Sequence, residues 1–166
     1  MTTDLGAILF ELYPDKAPIT ANNFLQNVKK GCYQNATFYR TVHPQNQPND
    51  SIKIEVIQGG LWIEGRELDF PVIDHETTNV TDILHENGVL SMARREPGTA
   101  SSEFFICIGD QPELDFGGKR NPDGQGFAAF GRVIEGMEVV RRIQQQPAMG
   151  QTLEPRINIV NVEFVE

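Results

Sequence analysis

The chain predicts a mainly β fold: a closed antiparallel barrel of about eight strands, capped at its open ends by two α-helices. Three observations lead there. Fifteen glycines and ten prolines in 166 residues set many turns, hence short strands rather than long helices. Strand-length runs rich in β-branched and aromatic residues recur along the chain, whereas only two stretches carry helical periodicity. A strand opens the sequence and another closes it, so a barrel can remove both sheet edges. At this length one domain, residues 1–166, is expected.

The elements follow in order. Residues 5–13 alternate weakly and stop at Pro14-Asp15. Ile19, Phe24, Leu25 and Val28 share one helical face; Pro18 or Thr20 can start that helix and Gly31 can cap it. Residues 37–42 and 52–57 are strands, separated by residues 44–51, a polar loop without periodicity. Residues 61–87 read as loop with short strands. Then come Gly88-Val89-Leu90-Ser91-Met92-Ala93-Arg94 and the most apolar short run of the chain, Glu103-Phe104-Phe105-Ile106-Cys107-Ile108. Alternation puts Glu103, Phe105 and Cys107 on one face of that strand and Phe104, Ile106 and Ile108 on the other. Both faces are largely apolar, so one enters the core and the other needs cover or lines a groove. A Gly- and Pro-rich loop over residues 109–126 is long for a compact domain, and such loops are more often functional than filler. Residues 126–133 form a strand, 134–145 a helix ended by Pro147, and 157–165 the last strand.

The formal charge of 14 − 23 = −9 argues against nucleic acid and against an anionic membrane surface as partners. No window reaches the roughly 18 consecutive apolar residues of a membrane span. Residues 1–13 read as a strand rather than a leader, so a cytoplasmic protein is expected, or a periplasmic or exported one if a leader has been removed. Cys32 and Cys107 set no disulfide framework; Cys107 reads as a small buried hydrophobe. His43, His75 and His85 lack metal-ligand spacing and read as structural or surface residues.

Taken singly, the polar residues read plainly. Arg40 is a solvent-facing arginine on a half-exposed strand, and Gln58 a strand-end amide before Gly59-Gly60. Asp115-Phe116-Gly117 matches a kinase triplet without the segments that would accompany it. Asn121-Pro122-Asp123-Gly124 is a turn without the ligand alternation of a calcium loop. Three Asn-X-Ser/Thr triplets carry little weight without a leader. In order along the chain, however, stand Phe38-Tyr39-Arg40-Thr41-Val42, Val56-Ile57-Gln58-Gly59-Gly60, Gly88-Val89-Leu90-Ser91-Met92-Ala93, Ser102-Glu103-Phe104-Phe105-Ile106 and Phe130-Gly131-Arg132-Val133. In these five motifs, and over essentially its whole length, the sequence resembles the cyclophilin-type peptidyl-prolyl cis–trans isomerases, in a bacterial-like and divergent form.

The resemblance implies an eight-stranded barrel capped by two helices and an enzyme that speeds rotation about X–Pro bonds in protein folding. Its partners would be proline-containing polypeptides, met as a monomer, with no metal, nucleotide or covalent intermediate. It makes Arg40 the donor to the twisted amide and Gln58 the amide that orients it. Val56, Phe105 and Leu114 would line the proline pocket. Backbone at Ala93 and Arg94 would pair with the substrate on its N-terminal side. Several positions depart from the family. Glu103 stands where glutamine is usual, and could pair with Arg40 and weaken it, or orient it. Phe127 stands in place of a histidine and Glu113 in place of a tryptophan, so tight cyclosporin binding is not expected. Residues 44–51 form an apparent insertion that leaves Glu55 aligned with a pocket phenylalanine. Arg94 and Arg95 suggest a preference for acidic residues upstream of the proline. The alternative activity is a module that holds proline segments with weak or no turnover, which Glu103 and the altered pocket would favour.

Overall fold

The computed structural model describes residues 1–65 and 69–165. Among these, ten strands and three α-helices follow in the order β1 (Thr2–Thr3), β2 (Gly6–Ala7), β3 (Leu9–Leu12), α1 (Pro18–Lys29), β4 (Ala36–Val42), β5 (Val56–Gly60), α2 (Thr78–Thr81), β6 (Val89–Met92), β7 (Phe104–Cys107), β8 (Ala128–Glu135), α3 (Met137–Gln144), β9 (Ala148–Met149) and β10 (Thr152–Asn161). The strands pair in the order β2-β1-β10-β4-β5-β7-β6-β8-β3, with β9 attached to β10, and every pairing is antiparallel. Only Ile8 separates the two end strands. Its N–H donates to the Met1 carbonyl at 2.9 Å, and its own carbonyl accepts from the Met1 amino group at 3.0 Å. One continuous segment thus joins both edges and nearly closes the barrel, which leaves little open edge for another chain to pair with.

Pro18 begins α1, where its missing N–H costs nothing, and the apolar face carries Ala21 and Phe24 inward. Phe24 stacks on Tyr33 at 4.9 Å between ring centroids and meets the edge of Phe104 at 5.5 Å; Phe38 and Phe130 complete the cluster. All five rings are buried, so truncating one, for instance Phe104, costs about 3–5 kcal/mol. Phe104 and Ile106 therefore occupy the core face of β7, as the alternation required, and Phe105 points the other way.

The antiparallel barrel matches the sequence reading, but the described residues hold ten strands rather than about eight and three helices rather than two, with boundaries that differ for identifiable reasons. The first run is split into β2 and β3. Residues 52–55 lie outside β5, which instead runs through Gln58-Gly59-Gly60. Those glycines do not end the strand. A Cβ on Gly59 would stand 2.8 Å from the Phe38 ring, and Gly60, at φ +145°, would place one 2.5 Å from the Glu103 carboxylate. The absence of side chains is what lets the aromatic core and Glu103 approach. Helix α3 starts only at Met137, because β8 continues to Glu135 and Gly136 makes the turn. The last strand begins earlier and ends at Asn161. The stretch read as loop over residues 61–87 contains α2; its residues 66–68 lie outside the described residues.

Candidate active site

Register builds the site. Arg40 of β4 faces Gln58 of β5, Gln58 faces Phe105 of β7, and Phe105 faces Ser91 of β6. Directly opposed residues in a sheet project to the same side, so this row lies across one outer face of the barrel. The loop after β7 folds back over it. A 3-10 turn at Pro112–Leu114 buries Leu114, whose carbonyl accepts from the Phe127 N–H at 3.0 Å. Between sheet and loop lies a cavity of about 270 Å³. Eight of the nine residues singled out from sequence line it: Arg40, Val56, Gln58, Ala93, Arg94, Phe105, Leu114 and Phe127. The ninth, Glu103, lines a larger adjoining cavity of about 720 Å³, which shares Arg40, Gln58, Ala93 and Arg94 with the first.

The apolar side of the smaller cavity is rigid. Phe105 meets Phe127 edge-on at 5.3 Å and lies parallel to the His85 ring at 6.0 Å. His85 is itself held between Asp115, 2.7 Å from Nδ1, and the Ser91 hydroxyl, 2.8 Å from Nε2. His85 and Ser91 are completely buried, which sets them apart from reactive groups at a surface. In sequence His85 stands isolated, because its Asp115 partner lies 30 residues away.

Arg40 is half-buried and clamped. Its Nη1 donates to Gln58 Oε1 at 2.8 Å, and its Nε and Nη2 both donate to Gln151 Oε1 at 2.9 and 2.7 Å. A guanidinium has five N–H donors, so two remain for a ligand. Burial, and secondarily the neighbouring Arg120 charge, pull its pKa below the usual arginine value, yet the group stays a cation. Gln151 was missed. It sits 111 residues from Arg40 in an undistinguished Met-Gly-Gln-Thr turn, and only the β4–β10 pairing brings it near.

Glu103 does not pair with Arg40, contrary to one of the two expectations. Its Oε1 accepts from the Leu61 N–H at 2.8 Å and the Ser102 hydroxyl at 3.0 Å; its Oε2 accepts from the Tyr39 hydroxyl at 2.7 Å and the Trp62 N–H at 3.3 Å. The Tyr39 oxygen in turn accepts from Gln58 Nε2 at 2.9 Å. An acceptor-only carboxylate thus makes Tyr39 a donor, which fixes the Gln58 amide so that its carbonyl faces Arg40. Burial, then the Glu103 charge, raises the Tyr39 pKa and keeps that hydroxyl protonated.

The Arg94 side chain is not free to supply the acidic preference expected of it and Arg95. Its Nη1 and Nη2 bind the two Asp123 oxygens at 2.9 and 3.1 Å, Nε and Nη2 donate to the Gly126 carbonyl, and the guanidinium lies 5.0 Å above the Phe127 ring. The same pairing holds the Asp123 carboxyl below its ordinary range. With its side chain neutralised in this way, Arg94 no longer supports an acidic preference upstream of the proline; of the pair, Arg95 is the one left exposed on the larger cavity. Nor does Glu55 replace a pocket wall: Ile54 and Val56 line the cavity, and Glu55 alternates away to accept from Gln144 Nε2 at 3.3 Å. Trp62 lies under Arg156 at 5.0 Å and beside Tyr39, in the larger cavity.

Comparison with known proteins identifies the family. A family model described as cyclophilin type peptidyl-prolyl cis-trans isomerase/CLD matches residues 1–164. A peptidyl-prolyl cis-trans isomerase of Acinetobacter baylyi is 37% identical over 151 residues, covering 89% of this chain and 71% of that protein. Peptidyl-prolyl cis-trans isomerase B of Escherichia coli is 32% identical, covering 86% of this chain and 80% of its own. In fold, the chain superposes on a cyclophilin type peptidyl-prolyl cis-trans isomerase of Cryptosporidium parvum, crystallised in the presence of the dipeptide Ala-Pro. The TM-score there is 0.75 at 24% identity, over 97% of this chain and 94% of the other.

Proposed function

Because this chain belongs to the cyclophilin-type peptidyl-prolyl cis–trans isomerases and so catalyses rotation about X–Pro bonds, we propose that Arg40 is its catalytic donor and the cavity on Phe105 its proline pocket. Rotation about a peptide bond faces a barrier of about 18–20 kcal/mol from C–N resonance, with cis and trans proline forms close in energy. No bond is broken. The protein therefore has to hold the ring and favour the twisted amide over both planar forms. When the amide twists, the proline nitrogen loses conjugation, becomes pyramidal and gains basicity. A cation already fixed beside it then donates more strongly than it can to a planar amide, which is stabilisation specific to the transition state.

The observation that carries this assignment is the clamp. Gln58 and Gln151 hold the Arg40 guanidinium at the edge of a cavity walled on one side by Val56, Phe105, Leu114 and Phe127, with two N–H donors to spare. Phe105, Leu114, Val56 and Phe127 would take the proline ring. The backbone at Ala93 and Arg94 would pair with the residues before it, which then run into the larger cavity. Gln58 acts by positioning Arg40, and Glu103 through Tyr39 by positioning Gln58. No feature of the site favours a binder without turnover, since the carboxylate suspected of muting Arg40 is engaged elsewhere. The test is exchange NMR on a short X–Pro peptide with the wild type and Arg40→Ala. A fall in kcat/KM of about 100-fold, equal to about 2.7 kcal/mol, is expected. Activity surviving in Arg40→Ala within a few-fold overturns the assignment.

A further inference from the structure

Besides Arg40 and the Asp123-bound Arg94, a third guanidinium lines the smaller cavity. Arg120, from the loop after β7, lies beside Ile54 and Asn121, on the part of the cavity that the larger one does not share. Residues 44–51, the departure from the family pattern, hold it, together with Ile52, the next residue. Gln47 is 1% exposed and locks that loop by donating to the His43 and Ile54 carbonyls, at 2.8 Å each. Arg120 Nη1 then donates to Gln47 Oε1 at 3.1 Å and to the Ile52 carbonyl at 2.6 Å. Its side chain is only 14% exposed. Its Nε and Nη2 make no hydrogen bond among the described residues. Among the described residues its one ion pair is with Asp50, 3.5 Å away and 45% exposed, a loose pair in solvent.

We infer that Arg120 reads an acidic side chain immediately after the proline, making Pro-Asp and Pro-Glu segments the preferred substrates. The inference rests on the peptide direction proposed above, in which residues before the proline pass Ala93 and Arg94 toward the larger cavity. The chain after the proline then leaves on the opposite side, past Arg120. A carboxylate there meets three unused N–H donors in the planar fork that suits it. With Arg94 neutralised by Asp123, it also relieves the repulsion between the remaining cations of the cavity, Arg40 and Arg120, which is unfavourable while the site is empty. The net charge of −9 argues against a general attraction for acidic peptides. The preference is local to one position.

The test compares Ala-Ala-Pro-Asp-Ala with Ala-Ala-Pro-Asn-Ala, and Ala-Asp-Pro-Ala-Ala with its Asn counterpart, by exchange NMR and by titration for affinity. In the wild type the Asp peptide is favoured about tenfold when Asp follows the proline, and about equally when it precedes. Arg120→Gln brings the first ratio to about one. Asp50→Asn, which removes the competing carboxylate from an exposed loop, raises it. The inference is overturned by a wild-type ratio near one, by a ratio that survives Arg120→Gln, by no rise in Asp50→Asn, or by a preference that sits before the proline. The affinity ratio is also read in Arg40→Ala. Turnover surviving there would remove Arg40 as the catalytic donor and leave the ratio readable, so the two failures are distinguishable.

Discussion

Replacing Glu103 by glutamine restores the residue usual in the family, and the structure predicts that it harms this protein. All four good acceptor positions of the carboxylate are in use, by Leu61 N–H, Trp62 N–H, the Ser102 hydroxyl and the Tyr39 hydroxyl. An amide has one oxygen. Whichever way Glu103→Gln is turned, its NH2 faces a backbone N–H that cannot accept from it. The bond from Tyr39, at 2.7 Å, also loses its charge assistance; bonds of that kind contribute about 1.5–3 kcal/mol. Discounted for a site that is only half-buried, the expected loss is about 2 kcal/mol, or roughly 4–8 °C in Tm for a domain of this size. Catalysis falls too, by about three- to tenfold, since Tyr39 no longer dictates which way the Gln58 amide faces Arg40. Urea denaturation and exchange NMR measure the two effects. A double-mutant cycle with Tyr39→Phe isolates the shared bond, and a coupling energy of at least about 1 kcal/mol is expected. A Glu103→Gln protein as stable as wild type with higher turnover would refute this reasoning and return Glu103 to the role of a brake on Arg40.

Two more outcomes follow from the same contacts. Gln151→Leu removes the acceptor shared by Arg40 Nε and Nη2, so kcat should fall about tenfold with KM little changed, because the loss is of alignment; an equal rise in KM would make Gln151 a substrate contact. His75 is half-buried beside Arg94 and Asp123, with Nε2 3.2 Å from the Gln125 carbonyl, and burial lowers its pKa from the ordinary 6.5. The sign follows from linkage. The unfolded chain takes up the proton first as pH falls, so this stability is full above about pH 6.5 and is lost as pH drops through the lower folded value. Urea denaturation between about pH 7.5 and about pH 5.5 should show a shallower loss in His75→Gln than in wild type; identical slopes would remove His75 as a contributor.

Much of this protein is legible in the residues themselves. The alternation of β7 separates Phe104 from Phe105, and that separation is a property of the pleat, independent of context. Phe24 and the start at Pro18 are legible in α1 for local reasons, but the expected face is not: Ile19 is exposed, and the helix buries Thr20, Ala21, Phe24 and Asn27 instead. The ordered motifs point to Arg40, Gln58 and Phe105, and register places these three side by side. What lies beyond local sequence is every property set by a distant partner. Gln151 reaches Arg40 across 111 residues, and Asp115 reaches His85 across 30. Glu103 and Arg94 keep their identities in sequence but change meaning in the fold. One saturates its oxygens on two backbone N–H groups and two hydroxyls, approached across the bare Gly60, and the other gives its charge to Asp123. A side chain's chemistry is intrinsic, whereas its free donors, its charge balance and the direction it faces are fixed by whatever packs against it. Only tertiary structure therefore distinguishes the arginine that is neutralised, Arg94, from the two that face the cavity with donors to spare.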